Sequence, residues 1–133
     1  VFAIDIAPKF VQRVSRISEL KRLGNVTPVL GLPDDICLPP NSITAAFVCD
    51  VYHHFEYPAN SLKSIFDAMK PGGQLVVIDF ERIEGKSREW TMGHVRAGKE
   101  TFREEIEAAG FVFREEVKLD GFDENYFLRF GRP

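Results

Sequence analysis

The chain opens on an apolar run, Val1-Phe2-Ala3-Ile4-Asp5-Ile6, interrupted by a single acid, which is the pattern of a buried strand. Pro8 then sits where the first turn of a helix tolerates it. Phe10, Val14, Ile17 and Leu20 recur at helical spacing, with Lys9, Arg13, Arg16, Glu19 and Arg22 on the other face. This predicts an amphipathic helix closed by Gly24. A short strand follows at Val26–Leu30, placed near a sheet edge by Pro28. The segment from Gly31 to Asn41 is rich in turn formers. Ile43 to Val51 is apolar on both faces, as in parallel sheets covered by helices on each side.

Leu62, Ile65, Phe66 and Met69 give a second helical stripe, stopped by Pro71-Gly72-Gly73. Leu75-Val76-Val77-Ile78 is another buried strand, ending in Asp79. The charged, weakly periodic segment from Phe80 to Lys99 predicts a long connection with one short helix. Thr101 and Glu104 fit a capping box, followed by a buried face of Phe102, Ile106 and Ala109 and a stop at Gly110. Phe111–Val117 and Tyr126–Phe130 are two strands whose joint is too short for a parallel crossover, so they should pair antiparallel. The predicted order, β-α-β-β-α-β-α-β-β, implies α/β layers on a mostly parallel sheet with an antiparallel pair at the C-terminus.

Composition narrows the class. A chain of 133 residues makes one domain, residues 1–133, and its 44% hydrophobic content with 12 Phe supplies a core without metal or disulfide. The formal charge of −3 argues against a dedicated nucleic-acid partner. No apolar run approaches the ~20 residues of a membrane span. Cys37 and Cys49 make neither a disulfide framework nor a metal site. The first strand begins at residue 1, so upstream residues are expected, and neither a targeting signal nor a compartment is legible.

Ligands of open α/β sheets bind outside the carboxyl ends of the strands. The polar residues collected there are Asp5, then Asp34 and Asp35, then Asp50 to His54, and finally Asp79, Glu81 and Arg82. Any one acid at such a position commonly caps the next helix. Four strand ends carrying acids along one rim favour a site. Asp5 suits a ribose, whose hydroxyls a strand-end carboxylate accepts. A G-x-G-x-x-G turn is absent. His94 lies in the long connection among Arg88, Trp90 and Arg96, where a substrate lid and a solvated face are both open readings.

Phe2-Ala3-Ile4-Asp5-Ile6, Leu38-Pro39-Pro40-Asn41-Ser42, Cys49-Asp50-Val51-Tyr52-His53-His54-Phe55 and Met69-Lys70-Pro71-Gly72-Gly73-Gln74-Leu75 occur in that order. Together they resemble the class I S-adenosylmethionine-dependent methyltransferase domain. The resemblance runs from that family's second strand to its last. Its first strand, glycine-rich loop and following helix are missing, and the strand belongs between the Val1 and Ile43 segments. The resemblance thus implies a Rossmann-like sheet without its N-terminal βα unit, the cofactor S-adenosylmethionine and a small-molecule acceptor.

By the same resemblance Asp5, with Ile6 beside it, holds the ribose, and the adenine lies near Leu32 to Ile36. Leu32 stands where many members carry an acid, leaving Asp34, Asp35 or backbone groups at Ile36 to serve the adenine. Asp50 and Val51 flank the methionine part. Tyr52, His53 and His54 face the methyl or the acceptor, with His53 and His54 as candidate bases. Glu81, a second candidate base, Arg82 and His94 stand toward the substrate. No metal is expected. A non-catalytic remnant or interaction module of the same topology competes with this reading. Without a central strand, a monomer of these residues should be unstable, domain-swapped or reorganised, through pairing with a second copy. A nicotinamide-dependent oxidoreductase fits Asp5 but not Pro71-Gly72-Gly73 or the final strand pair.

Overall fold

Each apolar run becomes a strand in the computed structural model, which describes residues 1–133. The order is β1 (Phe2–Asp5), α1 (Pro8–Leu20), β2 (Thr27–Leu30), β3 (Ile43–Cys49), a 3₁₀ turn (Tyr52–His54), α2 (Pro58–Ala68), β4 (Met69–Phe80), α3 (Glu89–His94), α4 (Lys99–Ala108), β5 (Val112–Glu116) and β6 (Asn125–Gly131). The single short helix of the long connection is α3.

The strands form two sheets. β1 and β2 pair in parallel, Phe2 opposite Thr27 through Asp5 opposite Leu30. The second sheet has the order β3-β4-β6-β5. In it β3 and β4 run parallel, while β4 with β6 and β6 with β5 run antiparallel. The C-terminal pair is therefore antiparallel, as its short joint requires. β1 and β3 do not pair, and each keeps an edge of backbone N–H and C=O groups without a strand partner. That is the interval in which the resemblance places a further strand. The two sheets are tied through the segment after β2: Ser61 Oγ donates to the Pro33 carbonyl at 3.2 Å, and the Ile36 N–H donates to Ser64 Oγ at 3.1 Å.

The core sits between the four-stranded sheet and helices α2 and α4. Leu62, Ile65, Leu75, Val77, Phe102, Ile106, Leu128 and Phe130 are all buried there. The turn ahead of the apolar part of β4 needs its glycine. A Cβ on Gly73 would stand 2.8 Å from the Lys70 carbonyl oxygen. The same turn clamps the C-terminal end of the chain, because the Gly72 N–H donates to the Arg132 carbonyl and the Arg132 N–H donates to that of Gly73.

The structure departs from the sequence pattern in four places besides the end of α2, which falls at Ala68 and leaves Met69 and Pro71-Gly72-Gly73 in β4. The stripe on α1 is not covered: Phe10 is 57% and Leu20 74% exposed, since the helix has only two short strands to lie on. β3 is apolar but not buried on both faces, and Phe47 is 67% exposed. Cys49, on the strand expected to be covered on both faces, is exposed for the same reason. The Thr101–Glu104 capping box does not form, because α4 starts earlier at Lys99 with Gly98 as its cap. These departures, the last excepted, cluster at the unpaired edges.

Phe102→Ala is expected to cost about 3–5 kcal/mol in urea unfolding, and Phe10→Ala no more than about 0.5 kcal/mol. Equal losses at the two positions would show that the apolar face of α1 is covered in solution.

Candidate functional site

The carboxyl ends of β3 and β4 meet in a short stretch of backbone that the sheet cannot continue. Asp50 leaves β3 with a positive φ of 51°, a conformation that a short polar side chain tolerates better than a branched one. Its N–H still reaches the Ile78 carbonyl at 2.9 Å. The chain then winds into the 3₁₀ turn, which two side chains pin from opposite sides.

Tyr52 points inward. It is fully buried, its ring lies edge-on to Phe102 with centroids 4.9 Å apart, and its hydroxyl donates to Glu105 at 2.8 Å. Tyr52, expected to face the methyl or the acceptor, here anchors the turn to α4. Arg96 closes the far side of the same carboxylate with a two-pronged contact of 2.7 and 2.6 Å.

His53 is held by Asp79, the last residue but one of β4. The Asp79 side chain is wholly buried and accepts three donors. These are the His53 N–H at 3.0 Å, the Phe80 N–H at 2.8 Å and His53 Nδ1 at 2.7 Å. A carboxylate only accepts, so the proton of the neutral imidazole sits on Nδ1 and the lone pair on Nε2. That Nε2 is buried and has no hydrogen-bond partner.

The other two histidines gather around it. Ring centroids are 4.0 Å apart for His53 and His54, 5.1 Å for His53 and His94, and 4.9 Å for His54 and His94. Trp90, one turn back on α3, stacks on His94 at 4.6 Å. Burial, then the neighbouring charges of His53 and His94, lower the His54 pKa and favour its neutral form. Burial first and the charge of Asp79 second raise the Asp50 carboxyl, which also accepts from Asn125 at 2.9 Å.

The remaining rim residues are dispersed. Asp5 Oδ1 accepts the Ala7 N–H at 2.8 Å, a local turn ahead of α1, and Oδ2 takes part in no bond. Asp35 Oδ1 is engaged by the Cys37 N–H at 2.7 Å, while Asp34 has no partner. Ile6 and Val51 are exposed and Ile36 packs against the core. Glu81 pairs with Lys99 at 2.9 Å, and Lys99 also reaches Glu116. Arg82 donates to the Met92 carbonyl at 3.3 Å, which fastens α3. Glu81, Thr91, Asn125 and Tyr126 line a cavity of about 410 Å³ between the α3 connection and the β5–β6 joint. Its volume is in the range of small-molecule pockets.

The structure thus assembles Asp50, His53, His54 and His94, adds Asp79, and leaves Asp5, Asp34 and Asp35 on the two-stranded unit. Asp79 was visible as a strand-end acid. Its bond to a residue 26 positions earlier was not.

A family described as a methyltransferase domain matches residues 1–77, more than half of the chain. Among solved structures, a SAM-dependent methyltransferase from Aquifex aeolicus is similar at a TM-score of 0.87 and 20% identity, over 100% of this chain and 69% of its own. The [4+2]-cyclase SpnF is similar at 0.84 and 16%, over 99% and 65%. The PH0226 protein from Pyrococcus horikoshii OT3 is similar at 0.82 and 15%, over 100% and 71%. At such identities the likeness is one of fold, and this chain spans about two thirds of the length of each. No curated protein matches the sequence.

Burial would raise the Glu105 carboxyl, but the Arg96 and Tyr52 hydrogen bonds outweigh it and hold the pKa below the ordinary value. A lowered folded-state pKa stabilises above the unfolded carboxyl value of about 4.3 and is lost as the pH falls through the folded one. Glu105→Gln is therefore expected to cost about 1–3 kcal/mol at pH 7, with the gap to wild type narrowing below about pH 4. Denaturant unfolding across pH 3 to 7 checks this, and a gap independent of pH would contradict it.

Proposed function

This chain belongs to the methyltransferase-domain family, and from that membership we propose S-adenosylmethionine-dependent methyl transfer to a small-molecule acceptor. The observation that carries the acceptor side is the Asp79-held His53, whose free lone pair stands at the carboxyl rim of the sheet.

The residues fit the cofactor in parts. The free Oδ2 of Asp5, at the carboxyl end of β1, suits a ribose hydroxyl, with Ile6 exposed beside it. Asp34, unpartnered, suits the exocyclic amine of adenine, and Asp35 and Ile36 shape the turn beneath. Asp50 and Val51 flank the methionine part. When bound, S-adenosylmethionine supplies an activated methyl on a sulfonium, whose positive charge is lost in transfer. The chain's own contribution is placement: a nucleophile held in line with the methyl gains most of the acceleration from orientation. His53 Nε2 accepts a hydrogen bond from an acceptor O–H or N–H and takes that proton if one must leave, with His54 beside it as the other candidate base. His94 and Trp90 present an aromatic wall from α3. Glu81 and Arg82 act through the cavity and through the placement of α3, and Asn125 links that cavity to Asp50.

A second reading, an interaction module of the same fold, is favoured by the open edges of β1 and β3. Those edges separate the Asp5 half of the site from the His53 half, so a pairing strand is needed to hold the two together. By itself the chain should bind S-adenosylmethionine no tighter than about millimolar, where only ~4 kcal/mol is available. Fused to the strand–glycine loop–helix unit of a methyltransferase relative, it should bind at least about tenfold tighter, a gain of ~1.4 kcal/mol. Asp5→Ala in the fusion should then weaken binding by about as much. No binding by the fusion would sink the methyl-transfer reading, and full affinity in Asp5→Ala would remove Asp5 from the ribose.

A further inference from the structure

All three histidines of the sequence meet at one point, although one of them lies 40 positions from the nearest other. A ligand nitrogen from each of His53, His54 and His94 lies within 4.8 Å of the other two. Packed imidazoles arise in aromatic clusters without any ligand, and Trp90 and Phe80 supply such a surround here. What sets this cluster apart is His53. Its side chain is only 2% exposed, its Nδ1 is committed to Asp79, and its Nε2 has no partner of any kind. A buried, unpartnered lone pair on a ring packed beside two further imidazoles is a donor awaiting an acceptor of electron pairs.

We propose that His53, His54 and His94 bind one divalent transition-metal ion of the zinc class, with Asp79 as the positioning residue behind His53. Three neutral imidazoles with a fourth position open are a donor set of catalytic zinc sites. A ligating histidine ordinarily donates its other ring N–H to a carboxylate, which fixes its tautomer and its aim. Asp79 already does this, and Nδ1 is the protonated nitrogen. Zinc–nitrogen distances of about 2.0–2.1 Å place tetrahedral ligands about 3.3 Å from one another, so the histidines must close by roughly 1.5 Å from the widest separation here. His54 and His94 are free to do so. Both are exposed, His54 on the 3₁₀ turn and His94 at the end of a helix of 6 residues within the long connection. Neither thiol takes part, since Cys37 and Cys49 stand outside the cluster.

The site does not rest on methyl transfer. If it is filled, His53 and His54 are ligands rather than proton acceptors, and the open position faces whatever occupies the rim. Any acceptor bound there would do so through an oxygen, nitrogen or sulfur atom able to ligate the ion.

The test is a titration of the 133-residue chain with cobalt(II), read by its visible absorption, and with zinc(II), read by calorimetry. One equivalent is expected to bind, with the intense spectrum of four-coordinate cobalt. His94→Gln, an exposed change, should weaken binding by more than the 10–100-fold that loss of an outer carboxylate costs. Asp79→Asn should weaken it within that range, while far-ultraviolet circular dichroism verifies that each variant is folded. A weak six-coordinate spectrum, or binding unmoved by His94→Gln, overturns the proposal. Binding weakened by His94→Gln but indifferent to a folded Asp79→Asn also overturns it, since that describes surface histidines and not a site built around His53.

Discussion

The buried bond between Asp79 and His53 is the constraint on which this rim is organised. A carboxylate with no exposure is tolerable only if its oxygens are occupied, and here two backbone N–H groups and one imidazole occupy them. The same bond determines where the 3₁₀ turn lies, which imidazole nitrogen carries the proton, and which lone pair is left without a partner. Tyr52 and Glu105 pin the turn from the other side. Between the two anchors, the chain has little freedom to present His53 in any other direction.

A second constraint is the division of the sheet. Hydrophobic burial is concentrated where α2 and α4 cover β4 and β6, and that half is packed as a domain core should be. The half built from β1, α1 and β2 carries apolar residues of equal quality, yet much of their surface meets solvent. Burial depends on what lies opposite as much as on the residue. The family relationship accounts for the pattern, since these segments are shaped for a sheet wider than the one formed here.

The elements themselves were legible because periodicity is a local signal. The spacing of Leu62 and Ile65 places α2, the run Leu75–Ile78 places the heart of β4, and the short joint after Val117 dictates an antiparallel pair. Capping was less legible. Thr101 and Glu104 have the right spacing for a box, but helix-forming residues ahead of them move the cap of α4 three residues back, to Gly98. Exposure along β3 was not legible at all, because an apolar run looks the same whether or not a neighbour covers it.

By itself the sequence determined the α/β order of elements, the family, and the rim on which acids and histidines collect, since each of these follows from residue type and near-neighbour spacing. It did not determine which rim residues act together. Tyr52 and His53 are adjacent in the chain and point to opposite sides, one into the core and one towards the rim. Asp79 and His94 are remote from His53 and lie against it or beside it. Only the tertiary structure decides such matters, because they depend on strand register and on the direction of each side chain, and those are settled by packing between elements rather than within them.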